Sequence, residues 1–132
     1  MKIDHIGIAV KSISDALKVY EKTLGLAAAT RDEVEDQGVR VAMLQIGESG
    51  IELLEPTRPD SPIEKFLSKR GEGIHHIAVR VDNLEEALER IKASGARLID
   101  SVPRRGAHQT RVAFIHPSST HGVLLELVEH AK

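Results

Sequence analysis

His5-Ile6-Gly7-Ile8-Ala9-Val10 near the start of the chain resembles His76-Ile77-Ala78-Val79-Arg80-Val81 near its middle, and the reading of this pair decides the fold. At the same offset of 71 residues, Ile13, Ala16 and Leu17 meet Leu84, Ala87 and Leu88. Ile51-Glu52-Leu53-Leu54-Glu55 in turn resembles Leu125-Glu126-Leu127-Val128-Glu129, at an offset of 74. Two segments agreeing under nearly one offset point to a duplicated module. Two copies make a two-fold arrangement and not a solenoid, which needs at least three.

Around these anchors the local patterning predicts β-α-β-β-β, a short helix, then β-α-β-β-β. Lys2–Val10 is apolar and β-branched, as in a buried strand. Ile13, Leu17, Tyr20 and Leu24 recur at helical spacing, with Ser14 as the expected N-cap and Gly25 as the stop. Strands are expected over 27–34 and 39–46, with Gln37-Gly38 as a turn, and over 51–55, ended by Pro56. Ser61-Pro62-Ile63-Glu64 reads as a capping box with proline at the first helical position. In the second half a strand over 74–81 precedes a helix capped by Asn83 and closed by Gly95. A short strand is expected over 97–100, a loop over 103–107, and strands over 110–115 and 123–128. The expected fold class is α+β. The expected organisation is a single domain over 1–132, with one module at about 1–58, a connecting helix at about 61–71 and a second module at about 73–130.

The duplication turns four residues into two pairs, His5 with His76 and Glu52 with Glu126. Side chains alternate faces along a strand. His5, Gly7 and Ala9 therefore share one face and Ile6, Ile8 and Val10 the other; His76 and Ala78 repeat this. Bulky aliphatics can cover a helix while the histidine face opens on a cavity. Glu52 and Glu126 are each flanked by aliphatic residues, and a buried carboxylate without a partner is costly. One divalent cation shared with two imidazoles removes that cost. Two nitrogens and two carboxylate oxygens suit Co, Mn, Fe, Ni or Zn. A lone histidine on a strand is more often a hydrogen-bonded structural residue; the paired recurrence is what favours a metal centre. His75 must point away from His76. His116 reads as a strand-end residue or part of a cavity rim, and His121 and His130 as surface residues. Arg104-Arg105-Gly106-Ala107-His108 is either a solvated turn or a contact for an anionic substrate tail.

Composition narrows the function classes. The chain has 132 residues, 41% hydrophobic and 29% charged, with a formal net charge of −2. That is one compact globular domain with acids and bases interleaved, unlike a nucleic-acid groove or an anionic-membrane surface. Aromatics make up only 2%, so stacking on nucleobases has little to work with. The lack of cysteine removes disulfides, thiolate ligands and a cysteine nucleophile, and fits a reducing compartment. No apolar run approaches the roughly 20 residues of a membrane span, and residues 1–10 read as a strand and not a leader. The expected location is the cytoplasm. There is no phosphate-cradling Gly-rich loop and no nucleophile elbow.

With these residues in place, the chain resembles the methylmalonyl-CoA epimerases of the vicinal-oxygen-chelate (glyoxalase/bleomycin resistance/dioxygenase) superfamily over nearly its whole length. The resemblance is carried by Asp4-His5-Ile6-Gly7, Gln37-Gly38-Val39, Glu52-Leu53-Leu54-Glu55-Pro56 and Asp60-Ser61-Pro62-Ile63. It continues in Gly73-Ile74-His75-His76-Ile77, Gly106-Ala107-His108, Phe114-Ile115-His116-Pro117 and Gly122-Val123-Leu124-Leu125-Glu126-Leu127. It implies paired βαβββ modules cupped around a metal, with His5, His76 and Glu126 as ligands and Glu52 where some members have a glutamine ligand. It implies interconversion of the epimers of an acyl-CoA, methylmalonyl-CoA, usually with Co2+ or another divalent ion (Mn2+, Ni2+ or Zn2+), in a homodimer. Epimerisation needs two proton-transfer groups flanking a planar enolate. Where some relatives carry a glutamate on the third strand this chain has Val41, which cannot move a proton. Glu126 matches the other base, and Glu52 is the expected second one. Gln45, Arg104, Arg105 and His108 are expected substrate contacts. The competing expectations are another enzyme of the same superfamily, such as a glyoxalase-like isomerase, an extradiol dioxygenase or a thiol transferase, and a metal-free small-molecule-binding protein.

Overall fold

A computed structural model describes residues 1–131. The elements follow in the order β1 (Lys2–Ala9), α1 (Ile13–Leu17), β2 (Thr30–Val34), β3 (Val39–Ile46), β4 (Ser49–Pro56), α2 (Pro62–Arg70), β5 (Gly73–Arg80), α3 (Leu84–Ser94), β6 (Arg104–Arg105), β7 (Arg111–Ile115) and β8 (Leu125–Glu129). The expected α+β class with two βαβββ modules holds. The chain divides into two compact units, one of His5–His75 and one of Met1–Asp4 with His76 onward.

In the first unit the strands run in the order β2-β3-β4-β1. β3 is antiparallel to both β2 and β4, and β1 is parallel to β4 with Gly7 opposite Glu52. Val10, Ile13, Leu17, Ala42, Leu44 and Leu53 form a buried cluster between α1 and one sheet face. In the second unit the order is β5-β8-β7-β6. β5 is parallel to β8 with Ala78 opposite Glu126, and β7 is antiparallel to β8 and to β6. Val81, Leu84, Ala87, Leu88, Ala113, Ile115 and Leu127 pack α3 onto one face of that sheet. Burying a leucine or isoleucine of this kind contributes about 1.5–3 kcal/mol. These clusters take the strand residues of one sheet face in each unit, which leaves His5, Glu52, His76 and Glu126 on the opposite faces, as the alternation predicts.

Local signals act where expected in α2 and α3. Ser61 Oγ accepts from the Ile63 amide and Pro62 occupies the first turn. Asn83 Oδ1 accepts from the Glu86 amide. The first helix differs from its expectation. Its cap is Ser12 and not Ser14: Ser12 Oγ accepts from the Asp15 amide. The Ile13 amide goes to the Glu55 carboxylate on β4, which starts the helix one step after Ser12. The helix then widens into a π-helical segment, Lys18–Thr23, with the Leu24 amide bonded to the Val19 carbonyl. The wider turn rotates Leu24 off the apolar stripe, and it is 58% exposed instead of buried.

Strand boundaries also move. β2 starts at Thr30, because the Ala29 amide is bonded to Glu21 and not to β3. The strand expected over 97–100 contributes only one isolated bridge, Leu98 with Ile115. The second strand of this module is instead β6, within the expected loop, where Arg104 pairs with Val112. The Asp100 carboxylate takes the Phe114 amide and so ends the pairing of the earlier run.

Candidate functional site

Each unit presents one histidine–glutamate pair, and the two pairs have the same construction. In the first, His5 on β1 and Glu52 on β4 sit with Nε2 3.4 Å from Oε1. In the second, His76 on β5 and Glu126 on β8 sit with Nε2 3.6 Å from Oε1. His5 and His76 are each 4% exposed, and Glu52 and Glu126 are each 7% exposed. In both units the glutamate faces the residue two after the histidine across a parallel strand pair. That register sets the two side chains on one sheet face. Small residues flank them: Gly7 and Ala9 follow His5, and Ala78 follows His76. Ala78, Val112 and Val128 form a small apolar patch on the His76 side.

The donor chemistry fits a divalent cation. A neutral imidazole presents one nitrogen lone pair and a carboxylate two oxygens. Burial makes an ionised carboxylate costly without a cationic partner. Histidine and carboxylate donors together match borderline divalent ions. Val41 is 1% exposed on β3 and offers no proton-transfer group.

His75 points the other way from His76, as the alternation requires. Its ring meets Phe66 edge-on, with centroids 5.0 Å apart. Burial pushes its pKa down to about 4, against a smaller opposing effect of the Glu52 charge. His75 is therefore neutral near pH 7. His116 is structural: its Nδ1 accepts from the Ser118 amide and caps the short turn Pro117–Ser119. His121 is exposed, as expected. His130, expected as a simple surface residue, pairs with Asp4 at 2.5 Å.

The substrate-contact candidates are placed as follows. Gln45 is exposed and its Nε2 donates to the Gly47 carbonyl, in its own hairpin. Arg104 lies 3.5 Å from the Asp100 carboxylate, with its guanidinium over the Phe114 ring. Arg105 is exposed. His108 is half-buried in a short turn in which both His108 (φ 55) and Gln109 (φ 62) adopt left-handed backbone. Gly106 starts that turn, and a Cβ there would stand 2.6 Å from Thr110 Oγ1 and 2.7 Å from Val112. The turn is thus fixed against β7 by packing that only glycine permits.

Two features escaped the sequence reading. Glu55 and Glu129 hold the start of each module helix. Phe114 stands against His76. The recurrence of Glu55 and Glu129 at an offset of 74 was the available signal for the first; nothing local signals the second.

Comparison with known proteins bears on these pairs. Residues 4–114 match the model of the Glyoxalase/Bleomycin resistance protein/Dioxygenase superfamily. The chain is 48% identical over 128 residues to the uncharacterized Bacillus subtilis protein YqjC, across 97% of this chain and 91% of that one. It is 38% identical over 128 residues to the ethylmalonyl-CoA/methylmalonyl-CoA epimerase of Cereibacter sphaeroides, across 96% of each. Among solved structures, a variant of the Streptomyces coelicolor methylmalonyl-CoA epimerase in complex with 2-nitronate-propionyl-CoA superposes with a TM-score of 0.95. That match has 42% identity over 99% of this chain and 95% of that chain. No described helix is long and apolar enough to cross a membrane. By sequence and by fold, the chain belongs to the glyoxalase/bleomycin resistance/dioxygenase superfamily.

Proposed function

We propose that this chain is a metal-dependent epimerase that interconverts (R)- and (S)-methylmalonyl-CoA by proton transfer through an enolate. The observation that carries the reading is the repeated buried histidine–glutamate pair, built twice in the same register. The relatives named as epimerases, at 38% and 42% identity over nearly full length, support the substrate class. His5, Glu52, His76 and Glu126 are the proposed ligands of one divalent ion, with Co2+ the first candidate and Mn2+, Ni2+ or Zn2+ the others. His5, Glu52 and His76 combine ligand atoms with the burial that such a centre requires. Such an ion would supply Lewis-acid polarisation of the thioester carbonyl and stabilise the enolate.

The chain's own residues handle the proton. Glu126 takes the α-proton on one face of the substrate as a carboxylate. Glu52 returns a proton to the same carbon on the opposite face, and the roles reverse for the other epimer. Val41 leaves Glu52 as the second carboxylate of the set. Arg104, Arg105 and His108 are proposed to meet the anionic groups of the CoA moiety, and Gln45 to orient the acyl end. A cytoplasmic homodimer completes the proposal.

The decisive experiment measures turnover of each epimer in deuterated water for the wild type, Glu52→Gln and Glu126→Gln. Each variant should lose at least about a hundredfold in kcat, the lower end of general acid–base contributions. Deuterium should enter the α-carbon from one epimer only in each single variant. Near-normal turnover of Glu52→Gln with metal retained would remove Glu52 from proton transfer. No turnover of methylmalonyl-CoA by metal-loaded wild type would end the epimerase reading.

A further inference from the structure

The chain has two phenylalanines, one tyrosine and no tryptophan. Both phenylalanines lie against a histidine. Phe66 meets His75 in the first unit, and Phe114 meets His76 in the second. Each also carries an arginine on its ring: Arg70 over Phe66 at 5.8 Å and Arg104 over Phe114 at 5.5 Å. Where aromatics are so few, their use beside the adjacent histidines calls for a physical reason.

We propose that Phe114 is a positioning residue for His76, fixing the plane in which the imidazole presents Nε2. This rests on the reading of His76 as a metal ligand. The terminal torsion of histidine is broad, so the backbone alone does not set the ring plane. Glu126 constrains the Nε2 end, at 3.6 Å. Phe114 supplies a further constraint, with ring centroids 5.6 Å apart and planes at 85°. That is the edge-to-face geometry that aromatic quadrupoles favour.

Phe114 is itself held from two sides. Its amide donates to Asp100 Oδ2 at 2.8 Å, and the same carboxylate lies 3.5 Å from Arg104 Nε. The Arg104 guanidinium covers the ring. On the sheet Phe114 is the cross-strand partner of Glu126. Histidine, glutamate and phenylalanine thus occupy neighbouring positions on three consecutive strands.

The first unit makes the contrast. There the cross-strand partner of Glu52 is Met43, at the position matching Phe114. A methionine has three rotatable side-chain torsions and no flat wall. In that place the second histidine–glutamate pair has a rigid aromatic neighbour and the first a flexible methionine.

Phe114→Met copies the first unit into the second at similar volume, and Phe114→Tyr keeps the ring. Two readouts separate positioning from general destabilisation. In Co2+ titrations by calorimetry, Phe114→Met should weaken binding about tenfold, at the low end of effects from residues that orient ligands. Phe114→Tyr should bind within twofold of wild type. In metal-free protein, the His76 carbon-bound proton signals, assigned with His76→Asn, should be single and ring-current-shifted in wild type. They should be exchange-broadened in Phe114→Met and wild-type-like in Phe114→Tyr. Unchanged Co2+ affinity and a single narrow His76 signal in Phe114→Met would overturn the proposal. If wild type itself takes up no Co2+, the metal reading fails, and the metal-free spectra alone decide whether Phe114 orients His76.

Discussion

Glu55 Oε1 accepts a 2.7 Å hydrogen bond from the Ile13 amide, so a strand carboxylate caps the start of α1 from across the module. Its other oxygen pairs with Arg40 on the neighbouring strand, opposite Glu55 in register. The second module repeats the device. Glu129 Oε2 accepts from the Leu84 amide at 2.9 Å, and Oε1 takes Arg111 at 2.7 Å. One glutamate thus satisfies an orphan helix amide and fixes the helix to the sheet that carries the histidine–glutamate pair.

Glu129→Ala should therefore destabilise the chain by about 1–3 kcal/mol, because it strands the Leu84 amide and removes one of the carboxylate partners of Arg111. Glu129→Gln keeps an oxygen for the amide and should lose less. Urea denaturation reads both. Equal midpoints for Glu129→Ala and wild type would show that the cap contributes nothing.

Glu85 also reaches Arg111, but at the surface. The hydrogen bond from Arg111 holds its carboxyl below the ordinary carboxylate range. A depressed carboxyl pKa stabilises the fold above the unfolded-state value, and that contribution is lost as pH falls through the folded value. Both groups are solvent-accessible, so salt screens the pair. Glu85→Gln should shift the denaturation midpoint less than Glu129→Ala. The shift should shrink toward acid pH and in about 1 M salt. A shift that persists under both conditions would point to packing and not charge.

Metal removal tests the two pairs together. Chelation should abolish epimerisation, and adding Co2+ should restore it. An ion held by the folded chain alone should, at about 100 times its Kd, add about 2.7 kcal/mol to stability. His5→Ala and His76→Ala should each erase that increment in thermal unfolding with and without Co2+. A full metal-dependent increment in either variant would remove that histidine from the ligand set.

Much of the site was legible because duplication writes itself into the sequence. His5 with His76 and Glu52 with Glu126 recur at fixed offsets, and strand alternation puts each on the face away from the helix. The caps Ser61 and Asn83 and the span of β3 were legible because they depend on neighbours a few residues away. The errors cluster where a distant group intervenes. Ser12 replaces Ser14 as cap because Glu55, far along the chain, takes the Ile13 amide. Arg104 and not Leu98 forms the paired strand because Asp100 claims the Phe114 amide.

The sequence by itself determined the two-module plan, the faces of the strands and the four buried ligand candidates. Each of these follows from periodicity and repetition, which are properties of order along the chain. Only the tertiary structure decided the Glu55 and Glu129 caps, the π-helical turn that turns Leu24 outward, and the ring of Phe114 against His76. Those contacts join groups separated by tens of residues, and their geometry depends on strand register and side-chain packing that no local pattern encodes.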